Sequence, residues 1–296
     1  MSVKHPIVVV TGSSGAGTTY VRDAFVNIFR RESMNPVIIE GDSFHSVTRD
    51  EFKQAAASAG DHYSHFGPEA NDFKALQQTF EEYGEYGTTR RRYYLHNETH
   101  VNRHSQRLNV PLKLGGFTPW EDIEKGTDLM LYEGLHGLVT DPEQDIDLRP
   151  FVDLAIGVVP SINLEWIQKI HRDHAKRGYN EQQVVDTILR RMPDYVNYIT
   201  PQFGDTDINF QRVPMVDTSN PFIARDIPSL DESKVVIRFK RPAKHNIDFP
   251  FLLRMIEHSF MSRRNTIVVP GNKMSLAMET ILTPILENLL EQSKLA

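Results

Sequence analysis

The 296-residue chain contains no cysteine. That excludes disulfides, thiolate metal sites and thiol-based redox control. Nor does it hold an apolar run approaching the roughly 20 residues that a membrane-spanning helix needs. A positive charge balance is missing too: the formal net charge is −6. Proteins that bind nucleic-acid backbones or anionic membrane surfaces are ordinarily basic, so neither partner is expected. Repeats and low-complexity tracts are absent, and the apolar "IVVVTG" near the start is too short for the core of a secretion signal. These exclusions point to a cytoplasmic globular protein. With 40% hydrophobic residues the chain can bury a sizeable core. One domain over residues 1–296 is the simplest expectation, because the loop-like stretches 97–119 and 202–233 still carry aromatic and apolar side chains.

Short apolar runs at residues 7–10, 37–40, 128–132, 152–159, 235–239 and 266–269 predict strands. A helix after Gly17 places Val21, Phe25, Ile28 and Phe29 on one face. Thr48 to Glu51 has the spacing of a capping box and predicts a helix start. Gly67-Pro68-Glu69 predicts another, followed by Phe73, Leu76, Phe80 and Tyr83 at helical spacing. Residues 140–150 are expected to be a polar connection. Helices are further predicted over 164–177 and 181–195. The apolar C-terminal stretch around Ile281 and Leu286 predicts a last helix, kinked or restarted at Pro284. Strands alternating with helices imply an α/β fold with a mixed, mostly parallel sheet and helices on both faces.

Four features carry chemistry. The first is "GSSGAGTT", residues 12–19, between a strand and a helix. Backbone N–H groups of such a loop cradle an anion at the helix N-terminus, and Thr19 stands where a hydroxyl would ligate Mg²⁺. Gly12, Ser13, Ser14, Gly15, Ala16, Gly17, Thr18 and Thr19 are the candidate phosphate-binding residues, with Thr18 in place of the usual lysine. A glycine-rich turn without a ligand fits the same residues. The second is "EGDSFH", which sets Asp42 and His45 at a strand's carboxyl end with Arg49 nearby. In open α/β sheets ligands bind there, although aspartate is also a common turn residue. The third is "DLMLYEGLHG", a strand ending in Glu133, a carboxylate of the type that supports Mg²⁺ beside a phosphate loop. The fourth is the run Lys169, Arg172, Asp173, Lys176 and Arg177, which puts four cations on one helix face. Such a face is commonly just solvated; a basic helix closing over a triphosphate would instead bring Lys169 as the cation that the loop lacks. "TTRRRYYLH", residues 88–96, suits either binding of a phosphorylated acceptor or a charged edge strand. "DTSNPF", residues 217–222, is turn-rich and equally suits a plain loop.

Together with "GVVPSINLEWIQKIHRD", "RVPMVDTSNPF", "DESKVVIRF" and "NTIVVPGNKMSLAM", these motifs resemble the bacterial-type phosphoribulokinases along nearly the whole chain. The resemblance implies a P-loop kinase fold similar to uridine kinases. It implies transfer from MgATP to the C1 hydroxyl of D-ribulose 5-phosphate. Asp42 would be the general base. Lys169 and Arg172 would hold the transferring phosphoryl group, with Asp173 orienting their helix. His45, Arg49, His96 and Arg177 would contact the sugar phosphate, and Thr19 and Glu133 the metal. It further implies a homo-oligomer, from a dimer up to an octamer, activated by NADH and inhibited by AMP. Arg31, Arg190, Arg191, Arg225 and Arg238 match the effector arginines at its subunit interface. "FGPEAND" and "FTPWED" resemble members from bacteria without an evident carbon-fixation pathway, which leaves the physiological acceptor open. A kinase for another sugar phosphate or a nucleoside, or a non-catalytic nucleotide sensor, remain the alternatives. The phosphate-seeking His45, Arg49 and Arg177 argue against the nucleoside, and the retained Asp42 and Glu133 against the sensor.

Overall fold

Eight strands form one sheet: β1 (Ile7–Gly12), β2 (Pro36–Glu40), β3 (Leu129–Gly134), β4 (Leu154–Pro160), β5 (Ile208–Pro214), β6 (Ser233–Phe239), β7 (Phe260–Arg263) and β8 (Thr266–Pro270). The order across the sheet is β7-β8-β6-β5-β4-β1-β3-β2. The five strands from β2 to β5 in that order run parallel, and the remaining three pair antiparallel. The computed structural model describes residues 4–12, 18–58, 63–177 and 180–295; the side chains of residues 18–20, 160, 173, 175–177 and 181 are outside that description.

Parallel strands need crossovers, and helices supply them. Helix α1 (Thr18–Arg31) links β1 to β2. Helices α2 (Arg49–Ser58), α3 (Phe73–Tyr86) and α4 (Glu98–Leu108) fill the excursion between β2 and β3, and α5 (Ile162–Arg177) and α6 (Glu181–Asp194) that between β4 and β5. Successive side chains of β1 point to opposite faces. Val8 and Val10 pack with Val21, Phe25, Ile28 and Phe29 of α1 and with the C-terminal helix. Ile7 and Val9 pack on the other face with Phe73, Leu76, Phe80 and Tyr83 of α3. Burial on both faces explains why the strands are continuous apolar runs.

Several expectations need correction. The stretch 97–119 contains α4, capped by Asn97, whose Oδ1 accepts from the His100 amide. Only Val101 and His104 of that helix are buried, so its apolar stripe is too sparse to show. The stretch 202–233 contains β5, an interior strand whose second half, Gln211 and Arg212, is polar and breaks the expected alternation. Strand β7 was likewise unforeseen; its largely exposed edge position imposes no apolar pattern. Pro68 starts a single 3₁₀ turn, and α3 begins at Phe73 with Asp72 as its N-cap. Residues 140–150 form a small hairpin of Thr140–Asp141 against Ile146–Asp147, with Ile146 and Leu148 in the core. The C-terminal helix runs unbroken over Met274–Leu295 with Pro284 inside it. A mid-helix proline costs about 3 kcal/mol; burial of eight apolar side chains from Met274 to Leu290 outweighs it, at roughly 1.5–3 kcal/mol for each large one.

Candidate active site

The parallel order sets the carboxyl ends of β2, β3 and β1 side by side. Glu40 lies opposite Glu133, and Glu133 opposite Val10. After Glu40 the chain makes one 3₁₀ turn, Gly41–Phe44, which buries Ser43 and Phe44 and leaves Asp42 at the rim. Two glycines permit this turn. A Cβ on Gly41 would come within 2.8 Å of the Gly134 Cα and 2.6 Å of the Tyr132 hydroxyl. A Cβ on Gly134 would lie 2.7 Å from the Gly41 Cα. The glycine after each strand-end acid therefore lets neighbouring loops touch.

A cleft of about 190 Å³ opens at this edge, lined by Gly12, Arg22, Glu40, Asp42, His96, His100 and Glu133 among others. Asp42, with its side chain 41% exposed, sits between two imidazoles, 3.4 Å from His45 Nε2 and 3.4 Å from His96 Nε2. Partial removal from water pushes its carboxyl up. The bond to His45 and its charge outweigh that, with smaller contributions from whatever charge His96 and His65 carry, and leave it well below the usual carboxylate range. Burial pushes His45 down, but Asp42 and the bond to Asn71 raise it above the ordinary imidazole value. Burial lowers His96 in spite of Asp42, and lowers His65 further still. Asp42 is thus held ionised beside one favoured imidazolium.

Tyr94 is the hub of these side chains. Its ring meets His45 and His96 edge-on at 5.6 and 4.8 Å, and its hydroxyl accepts from Arg49 Nε at 3.3 Å. Arg49 Nη2 also donates to the His96 carbonyl at 3.1 Å. The structure therefore brings together Asp42, His45, Arg49 and His96. From residues 88–96, Arg92 turns inward: it donates to the carbonyls of Ser43 and His45 at 2.7 and 2.9 Å and lies over the rings of Phe117 and Trp120. It holds the Asp42 turn from beneath. Its neighbours Arg90–Arg91 form a two-residue strand with Glu121–Asp122.

Gly12 and Glu133 line the same cleft. Residues 13–17 lie outside the described residues, and Thr18 and Thr19 open α1 with side chains outside the description. The cleft contains Arg22, Glu40 and His100, which sequence reasoning missed. Arg22 had a signal: it follows Thr18 by one helical turn and so shares its face of α1. Among the described residues no three His, Asp or Glu side chains converge as a preformed metal cage. The adjacent carboxylates Glu40 and Glu133 nevertheless fit a Mg²⁺ carried by a nucleotide, which takes one or two carboxylates and keeps its waters.

Lys169 and Arg172 are half-buried on α5, and neither is among the described residues lining the cleft. The side chains of Asp173 and Arg177 lie outside the description. Helix α5 is tied to the loop after β5: Asn163 Nδ2 donates to the Thr218 carbonyl at 2.9 Å, His171 Nε2 bonds the Ala224 carbonyl at 2.9 Å, and Trp166 meets Phe222. "DTSNPF" is therefore a loop docked on α5. A second cavity of about 490 Å³ lies beyond the ends of β4 and β5; its walls, Ser161, Asn163, Gln211 and Thr218 among them, are uncharged. Although it is larger, its only ionisable side chain among the described residues is the Tyr195 phenol, whereas the smaller cleft gathers the carboxylates, imidazoles and a guanidinium. The five candidate effector arginines are dispersed. Arg31 pairs with Glu32 and Glu279, Arg191 lies over Phe66 beside Arg190 on α6, Arg225 is exposed, and Arg238 donates to the Phe203 carbonyl.

Comparison with known proteins bears on the family and the fold. The phosphoribulokinase / uridine kinase family model matches residues 7–219. The phosphoribulokinase of Nitrobacter vulgaris is 54% identical over 99% of both chains. Phosphoribulokinase 1 of Cereibacter sphaeroides is 54% identical over the whole of both, and the probable phosphoribulokinase of Escherichia coli K12 is 52% identical over the whole of both. The solved phosphoribulokinase from Rhodobacter spheroides superposes with a TM-score of 0.86 at 51% identity, covering 99% of each chain. An acid at the end of each of two neighbouring strands, an interior strand β1 that ends in Gly12 ahead of helix α1, and likeness along the full length have one common explanation: this chain belongs to the phosphoribulokinase / uridine kinase family.

Proposed function

We propose that this protein transfers the γ-phosphoryl group of ATP to the C1 hydroxyl of D-ribulose 5-phosphate, giving ribulose 1,5-bisphosphate and ADP. The observation that carries the proposal is Asp42, an ionised carboxylate at the strand-end cleft, flanked by His45, His96 and Arg49, in a chain alike to phosphoribulokinases over its full length. Asp42 accepts the hydroxyl proton as the C1 oxygen bonds to the γ-phosphorus. The bond from that phosphorus to the β,γ-bridging oxygen breaks, and ADP leaves with its electron pair. A carboxylate of lowered basicity suffices because a loose phosphoryl-transfer transition state needs little activation of the nucleophile. Positioning and charge stabilisation do most of the work.

His45, Arg49, His96 and Arg177 hold the acceptor's phosphate. Lys169 and Arg172 come over the transferring group, with Asp173 orienting their helix, and Arg22 adds a cation one turn from Thr18. Residues 12–19 cradle the nucleotide phosphates. Thr19 and Glu133, with Glu40 adjacent, would hold Mg²⁺, which would supply neutralisation of phosphate charge. The uncharged cavity beyond β4 and β5 suits a nucleoside better than a phosphate. Resemblance further supports a homo-oligomer in which Arg31, Arg190, Arg191, Arg225 and Arg238 form an interfacial site for NADH and AMP. An ADP-release assay over a panel of sugar phosphates, with and without NADH, tests the reading. Turnover on another sugar phosphate with none on ribulose 5-phosphate would overturn it.

A further inference from the structure

Segments 44–46 and 70–72 are clipped together beneath the Asp42 turn. His45 and Asn71 form an isolated β-bridge, Ser46 N–H donates to the Ala70 carbonyl at 2.9 Å and Asp72 N–H to the Phe44 carbonyl at 2.8 Å. The Asn71 side chain, only 5% exposed as a residue, is fully committed. Its Nδ2 donates to the carbonyls of His65 and Gly67 at 3.0 and 2.7 Å. Turning the amide over would set Oδ1 against those two acceptors, so its orientation is fixed by its surroundings. Oδ1 then faces His45 Nδ1 at 3.0 Å. An amide oxygen only accepts, so Nδ1 must carry the proton. The other ring nitrogen, Nε2, faces the Asp42 carboxylate at 3.4 Å, where a lone pair would be repelled and a second proton is attracted.

We propose that Asn71 is a positioning residue for the transfer reaction: it fixes one proton on His45 Nδ1, so that the second proton, drawn to Nε2 by Asp42, makes the ring a cation whose Nε2–H orients Asp42 and faces the acceptor. The inference rests on the reading of Asp42 and His45 as the acceptor side of a kinase site. It makes His45 a charge rather than a base and leaves Asp42 as the base. The groups facing His45 are consistent with this assignment. Asp42 favours the charged ring. His65, 4.3 Å away ring to ring, is pushed well below the ordinary value and stays neutral. Tyr94 offers a ring edge-on. Arg92 bonds the His45 carbonyl and opposes the charge. His96 reaches the opposite oxygen of Asp42, and His136, held neutral with its value lowered to about 4 by burial, lies behind His65.

The test is ¹⁵N-histidine NMR across pH on the full chain without substrate, with the His45 signals assigned from the spectrum of His45→Gln. Above its titration, His45 should keep its proton on Nδ1, the less common tautomer of free imidazole. In Asn71→Ala its midpoint should fall, and at higher pH the KM for ribulose 5-phosphate should rise about tenfold for each pH unit of that fall. At low pH, where the ring is charged in both proteins, the two KM values should converge. In a His45→Gln background, Asn71→Ala should change KM no further. A proton on Nε2 alone in the wild type, or an unmoved midpoint in Asn71→Ala, overturns the proposal. A variant that loses activity equally at all pH values with His45 unmoved does so too. Should Asn71→Ala not fold, the wild-type tautomer alone decides. Because the NMR needs no turnover, inactivity on ribulose 5-phosphate would count against the proposed substrate and not against Asn71.

Discussion

Asp42, His45 and His136 show how one small region separates charges by environment. Asp42 is lowered because its imidazole neighbours outweigh desolvation. Asp42→Asn removes the proposed proton acceptor while keeping the shape. We expect kcat to fall about 10²–10⁴-fold, the usual contribution of a general base, with ATP affinity nearly unchanged in a direct binding titration. His45 is raised, so its charge is complete below the ordinary imidazole value and lost as pH climbs through the raised one. The KM for the acceptor should therefore rise on the alkaline side, and steady-state kinetics from neutral to alkaline pH checks this. His136 works in the opposite sense. It is 4% exposed, its Nε2 bonds the His65 carbonyl at 3.0 Å, and burial takes its value down to about 4. Its folded value is depressed, so its contribution is present above about 6.5 and lost as pH falls to about 4. That amounts to about 3 kcal/mol at most. Urea unfolding at several pH values should show a flatter acid limb for His136→Gln than for the wild type.

The elements are arranged so that the loops at the carboxyl edge of the sheet pack against one another around Asp42. The Asp42 turn rests on Arg92 below and touches the β3 loop through Gly41 and Gly134. Gly134→Ala must displace the Gly41 backbone as well as the Tyr132 hydroxyl. We expect a destabilisation of about 1–3 kcal/mol, typical of overpacking, together with a loss of kcat that outlasts full refolding; thermal melts and kinetics on the same sample measure both. Helix α5 presents a different arrangement, docked on the loop after β5 through Asn163, Trp166 and His171. Lys169→Met should collapse kcat while nucleotide still binds; a near-normal kcat would remove Lys169 from the transfer step. Arg22→Gln tests the other cation, and is expected to raise the KM for ATP severalfold with little change in Tm.

For the molecule as a whole, Arg31 is already engaged by Glu279 and Thr283 of the C-terminal helix. Any anionic effector there must displace an exposed ion pair, which costs little. The proposed activation by NADH should therefore be salt-sensitive and be weakened in Arg31→Gln, as read from initial rates at constant substrate, with oligomer mass measured by light scattering alongside. The local order was written in the chain. Val8 and Val10, Phe73 to Tyr83, and the capping box at Thr48 to Glu51 each appear as predicted because burial and backbone hydrogen bonding act over a few residues. Glu133 at a strand end and Asp42 in the turn just beyond one were legible for the same reason: a parallel strand ends where its apolar run ends. What the sequence hid lies where a polar surface imposes no period, as in α4 and β7, or where partners are far apart in the chain. Arg92 reaches back 49 residues to Ser43. Asn71 is 26 residues from His45. The sequence by itself determined the strand–loop–helix units and the chemistry available to them. Only the tertiary structure decided which imidazole keeps its proton, because that depends on burial and on one amide oxygen brought in from another segment.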